Sequence, residues 1–150
     1  MKISITTYLL LVIICFQLLC AIPAGLLMII DTTGDKIGLP FELLKSSPFP
    51  NYLIPGLFLF LILGLFPIVI VYGLVGKPSW KLAEKFNPYK EVHWSLTFSY
   101  YFGLLLILWI NMQLLFIQSY SFLQVVISLL GVFIIILTHA PSTLKAYRRQ

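Results

Sequence analysis

Asp, Glu, Lys and Arg are missing from four long apolar runs that take up most of this 150-residue chain. The runs extend roughly over Thr6 to Ile30, Tyr52 to Gly76, Trp94 to Ile117 and Tyr120 to Thr138. Only 10% of the residues are charged, while 60% are hydrophobic. That balance excludes a water-soluble domain, whose surface needs many more polar side chains. A hydrocarbon core of ~30 Å is crossed by ~20 helical residues, so each run can span a bilayer unaided. The connections leave no room for a separate soluble domain. The expectation is one integral membrane domain over residues 1–150, an all-α bundle of four transmembrane helices.

The same absence excludes chemistry. Proton and ion pathways need intramembrane ionisable groups to replace hydration or hold a proton, which places a small transporter or channel third among the functional readings. There is no Gly-rich phosphate loop, no pair of catalytic carboxylates and no cooperating Ser/His/Asp set. The chain therefore reads as non-enzymatic, with no catalytic residue, metal or cofactor assigned. His93 and His139 fall on the same membrane face, but no carboxylate or cysteine accompanies them at metal-ligand spacing, so both read as interfacial side chains. Cysteine is scarce too. Cys15 and Cys20 are the only two, and in a helix their Cα atoms lie about 8 Å apart and point about 140° away from each other. Without a Cys-x-x-Cys pair they read as apolar space-fillers, not as a thiol redox centre.

Acidic residues are few, five against ten basic ones, for a net charge of +5. All ten basic residues lie outside the apolar runs, as membrane-topology signals and contacts for anionic headgroups do; nucleic acid is not a partner. Eight of them (Lys2, Lys77, Lys81, Lys85, Lys90, Lys145, Arg148 and Arg149) fall on one side of a four-span topology, against Lys36 and Lys45 on the other. The rule that cytoplasmic segments carry the basic excess puts both termini and the 77–93 loop inside. The first run continues past any plausible processing site to Ile30, with bulky Ile22 where a small residue would precede a cut after Ala24. It reads as a retained signal-anchor helix.

Between the first two runs, turn residues give way near Leu39 to Pro40, Phe41, Glu42, Leu43, Leu44 and Lys45, a pattern for one or two helical turns on the outer membrane surface. Ser47-Pro48-Phe49-Pro50 stops it. Two readings stand, a cap over the outer ends of the bundle or a loosely structured connector. Pro55 fits the first turn of the second helix, whereas Pro67 and Pro23 should interrupt their helices. The 77–93 loop carries Trp80, Phe86, Tyr89 and Trp94, rings suited to the headgroup region, around a short amphipathic segment from Lys81 to Phe86 that Asn87-Pro88 ends. Ala21-x-x-x-Gly25 and Ser99-x-x-x-Gly103 are small-residue pairs that permit close helix contact.

The polarity kept within the runs is concentrated in the last two. Trp109 and Gln113 share one helical face, and Gln124 and Ser128 another. With a turn centred near Gln118 and Ser119, Gln113 and Gln124 both sit about 8 Å below it in an antiparallel hairpin. Two opposed glutamines can exchange amide hydrogen bonds as interhelical glue. Alternatively, Trp109, Gln113, Gln124 and Ser128 form a small pocket for a lipid or quinone carbonyl or hydroxyl. Asn111 points about 200° away from Gln113 and needs another partner, Gln17 or a backbone carbonyl.

Two strings, Ser47-Pro48-Phe49-x-x-Tyr52-Leu53-Ile54-Pro55-Gly56 and Trp109-x-x-x-Gln113 followed by Tyr120-Ser121-Phe122-Leu123-Gln124, resemble a set of small bacterial four-helix integral membrane proteins. The likeness covers the first loop and helices two to four, and it implies a bacterial cytoplasmic membrane as the setting. It implies no activity. Family members often carry a proline after the second string's glutamine; here that place is Val125, so the hairpin geometry is not carried over. Size and helix count are also similar to those of DoxX-like four-helix membrane proteins, a fold-level analogy. The expected function is packing against membrane lipids and a protein partner, either a larger complex or a second copy. Hydrophobic-ligand binding, or an accessory role beside a membrane enzyme, is the alternative.

Overall fold

An apolar chain in lipid must satisfy every backbone group internally, and helices do so within one segment. The computed structural model, which describes residues 4–117 and 120–149, is all-helical, with no strand among those residues. Helix α1 (Ile5–Ile30) opens at Ser4, whose hydroxyl accepts the Thr7 N–H at 3.2 Å. Helix α2 runs from Leu53 to Gly76, α3 is the short Lys81–Lys85, and α4 (Trp94–Ile117) is followed by α5 (Phe122–His139) and α6 (Pro141–Tyr147). Four of these (α1, α2, α4 and α5), of 26, 24, 24 and 18 residues, are long and apolar enough to cross a membrane. Lys2, and the turn expected at Gln118 and Ser119, lie outside the described residues.

The four long helices form a bundle in the cyclic order α1, α2, α4, α5. Although α1 is apolar all round, its buried residues form one seam: Thr7, Leu10, Ile14, Gln17, Ala21, Gly25 and Met28. Spacings of three and four keep such a seam on the partner helices and leave the other faces outward. Leu10, Ile14, Leu63, Ile70, Phe102, Leu106 and Ile134 are wholly buried and make the centre of the core.

Glycine sets the closest approaches. A Cβ on Gly103 would lie 2.8 Å from the Gly131 carbonyl oxygen, and one on Gly131 would lie 2.8 Å from that of Gly103, so α4 and α5 meet backbone to backbone. On α1, a Cβ on Gly25 would lie 2.6 Å from the Phe60 backbone nitrogen. Both small-residue pairs seen in the sequence are thus at real helix contacts. Pro67 does interrupt α2, in the form of a widened turn: Leu59–Leu65 is π-helical, and the Phe66 N–H donates to the Leu61 carbonyl five residues back. A wider turn relieves the clash between a proline ring and the carbonyl four residues before it. Pro55 sits in the first turn of α2, as expected, and α1 runs through Pro23 without a break.

The 31–52 segment is a cap, not a loose connector. The helical turn expected after Pro40 is a single 3₁₀ turn, Phe41–Leu44, preceded by another at Asp35–Ile37. Leu44 and Tyr52 pack with Met28 of α1 into a small second core, and the Tyr52 hydroxyl donates to the Pro40 carbonyl at 2.9 Å. Phe49 reaches α4, meeting Phe116 edge to face at 6.3 Å. Gly34, at φ +90°, allows the tight turn against the Tyr52 ring, where a Cβ would lie 2.6 Å away.

Candidate functional site

The four residues singled out near the first-loop end of the α4–α5 hairpin divide into two pairs. Trp109 is half-buried and stacks on Phe58 of α2, ring centroids 4.6 Å apart and planes 18° apart. Gln113, one turn further along α4, is half-buried. Gln124 is buried, but the amide exchange expected between it and Gln113 is not formed. Its Oε1 accepts the Ser121 N–H at 2.9 Å, while the Ser121 hydroxyl accepts from Leu123 N–H at 3.3 Å. This is a capping box, which satisfies the open end of α5 locally and so outcompetes a partner on another helix. Gln124 and Ser128 line a recess of about 260 Å³ together with Asn111 and Tyr120; Trp109 and Gln113 do not. Asn111 finds its partner in its own helix, donating from Nδ2 to the Ile107 carbonyl at 2.8 Å.

The opposite, basic end holds much denser polar order. The Pro78 carbonyl accepts both the Trp94 indole N–H and the His93 Nε2–H, each at 3.0 Å. With Nε2 donating, His93 Nδ1 must accept, and it does so from the Ser95 hydroxyl at 2.8 Å. Burial, the largest influence, holds the His93 imidazole below its ordinary value of 6.5, so the neutral tautomer is favoured. Both ring nitrogens are engaged, which takes His93 out of any two-histidine metal site. Wholly buried Asn87 uses its amide fully: Oδ1 accepts from Thr97 Oγ1 at 2.6 Å and from Tyr89 N–H at 3.2 Å, and Nδ2 donates to the Val92 carbonyl at 3.0 Å and to Glu84 Oε2 at 3.3 Å.

The C-terminal segment closes over this network. Val92 and Arg148 form an antiparallel β-bridge, His93 N–H donates to the Tyr147 carbonyl at 2.9 Å, and Arg149 N–H donates to the Glu91 carbonyl at 2.8 Å. The Arg149 guanidinium pairs with the Glu84 carboxylate. The Tyr147 hydroxyl donates to the Leu74 carbonyl near the end of α2 at 2.5 Å, and burial pushes its pKa up to about 12. Lys77 donates to the Ala146 carbonyl at 2.7 Å and lies over the Tyr147 ring, and burial holds its ammonium pKa below the usual lysine range.

Beside this latch, the 88–92 loop, the start of α4, the end of α5 and α6 enclose a groove of about 550 Å³. Lys90, Glu91, Tyr100 and His139 line it, together with Thr97 and Thr138. His139 is exposed; its Nδ1–H donates to the Ile135 carbonyl at 2.9 Å, and its ring meets Tyr100 edge to face at 5.3 Å. Sequence reasoning missed this site because its parts are some 50 residues apart in the chain and share no motif. The crowding of Asn87, His93, Ser95, Thr97 and Ser99 around one helix start was the available signal. Among the described residues, no three His, Cys, Asp or Glu side chains form a group that could hold a metal ion. No protein-family model, no curated protein and no solved structure matches the chain.

Proposed function

We propose that this chain is a small non-enzymatic multi-pass protein of a bacterial cytoplasmic membrane, related to the small four-helix proteins its strings resemble. Both termini and the 77–93 loop are inside, and it works by packing against lipid and a protein partner. The observation that carries the reading is the recess formed by Asn111, Gln124 and Ser128 on the side of the α4–α5 hairpin. Asn111 is exposed there among Leu108, Leu115, Val125 and Leu129, all exposed apolar side chains. Polar groups on a face that otherwise suits lipid are satisfied best by a neighbouring helix with its own hydrogen-bonding groups.

Cross-linking tests it. A single cysteine at Ser128, in a chain with Cys15 and Cys20 replaced by alanine, should give a discrete cross-linked species in native membranes, and Asn111→Leu should reduce it. Monomer alone, under conditions that label the cysteine fully, counts against a partner at this face. Orientation has its own measurement: Lys85→Cys should react with a membrane-impermeant reagent only after the cells are opened.

A second reading, binding of a lipid or quinone headgroup, has the same recess in its favour, since Gln124 and Ser128 offer polar groups at one end of an apolar slot. It requires a small molecule that co-purifies with the chain and is lost in Ser128→Leu.

A further inference from the structure

The groove at the basic end carries a more specific assignment. Its volume of about 550 Å³ falls within the ~300–1,000 Å³ of small-ligand sites. Its wall is amphipathic: Leu96 and Leu144 supply apolar surface, and Lys90, Glu91, Tyr100 and His139 supply polar groups. It also lies where α4 begins and α5 ends, at the boundary between apolar span and charged loop.

What matters is which polar groups remain available. Thr97 is committed to Asn87, and Thr138 donates to the Ile135 carbonyl at 2.7 Å. Lys90 gives one of its three protons to the Glu84 carbonyl and keeps two. The Glu91 carboxylate and the Tyr100 hydroxyl have no hydrogen-bond partner among the described residues, although the Glu91 main chain is held by Arg149. The groove thus offers a cation with spare donors, a hydroxyl, and beside Lys90 in the chain a carboxylate that can only accept.

We propose that the groove receives the head group of one aminophospholipid, its phosphate at Lys90 and the Tyr100 hydroxyl and its primary ammonium at Glu91. The surrounding end of the protein carries seven basic residues against Glu84 and Glu91, a field that by itself gathers anionic lipid. Glu91 within the groove opposes an anion and complements an ammonium with three N–H donors, so the groove selects against the general field. The glycerol and first acyl carbons lie along Leu96 and Leu144.

The test is native mass spectrometry of the full chain released from nanodiscs holding equal amounts of phosphatidylethanolamine and phosphatidylglycerol. The wild type should retain phosphatidylethanolamine in preference. Glu91→Gln, which removes no hydrogen bond of the folded chain among the described residues, should lower that preference roughly two- to fivefold, the range of a partly exposed ion pair. Lys90→Gln should weaken retention of both lipids; should that variant melt early, Tyr100→Phe replaces it, with the same expectation. Preference for phosphatidylglycerol in the wild type, no retained phospholipid, or a lipid ratio unmoved by Glu91→Gln overturns the assignment. Failure here leaves the partner recess untouched, because the two sites lie at opposite ends of the α4–α5 hairpin.

Discussion

At the basic end, hydrogen bonds tie together residues 65 and 73 positions apart, through Glu84 with Arg149 and Leu74 with Tyr147, and a fully used Asn87 sits beneath them. At the first-loop end, a small apolar plug of Met28, Leu44 and Tyr52 does the closing, and the Asp31 carboxylate organises its turn by accepting from Thr33 Oγ1 at 2.7 Å and Lys36 N–H at 2.8 Å. The first arrangement depends on long-range polar pairing, the second on local turns and burial. Buried hydrogen-bonded networks lose most when one member is removed, because the others are left unpaired. Apolar plugs and local turns lose less per change, so the two ends should respond differently to the same kind of substitution.

The sharpest test is Asn87→Leu. It strands Thr97, the Tyr89 N–H and the Val92 carbonyl, and should destabilise the protein by about 3 kcal/mol in reversible detergent unfolding. Tyr147→Phe comes next: it frees the Leu74 carbonyl inside the latch, at about 1–2 kcal/mol. Its counterpart at the other end, Tyr52→Phe, removes one bond to Pro40 from a mostly apolar plug and should cost about 1 kcal/mol or less. If Tyr52→Phe proved the more damaging of the two, the contrast between the ends would fail.

Acidity should separate the ends by window. His93 is held below 6.5, so as the pH falls through 6.5 the unfolded chain binds a proton there before the folded one does. Stability at the basic end therefore declines below pH 6.5 and levels off once the folded imidazole protonates, a smaller effect because His93 is only half-buried. Asp31 is held below 3.8 by its hydrogen bonds, chiefly from Thr33, so the stability it contributes is lost only as the pH drops beneath that value. Amide hydrogen exchange at pH 7 and 5.5 should show faster opening over residues 87–93 and little change over 31–45, and His93→Gln should flatten the response. The least effect is expected from Gln113→Leu, within about 0.5 kcal/mol, since its expected bond to Gln124 is absent.

The spans, their number and the small-residue contacts were legible because each rests on a local property of the chain: length, apolarity and glycine spacing. The Ser121-x-x-Gln124 capping box is equally legible in the chain, yet equal depth in the hairpin points to Gln113 instead. Depth says nothing about whether a nearer backbone donor is free, and the Ser121 N–H was. The basic end was hidden for the opposite reason. Its lysines and arginines read as topology signals, and the bonds that turn them into a latch join segments no local pattern connects. The same holds for the groove, where Lys90 and Glu91 come from one loop while Tyr100 and His139 come from two different helices.

The latch also fixes an order of events. Its Tyr147 and Arg149 emerge from the ribosome after the four apolar helices, whereas their partners Leu74 and Glu84 are made far earlier. The first-loop cap, built from residues 28 to 52 with Phe116 against Phe49, has all its parts before α5 is made. Until Tyr147 and Arg149 are made, Asn87 and His93 lack the segment that covers them. The basic end is thus completed after the first-loop end, whose contacts need no residue beyond Phe116.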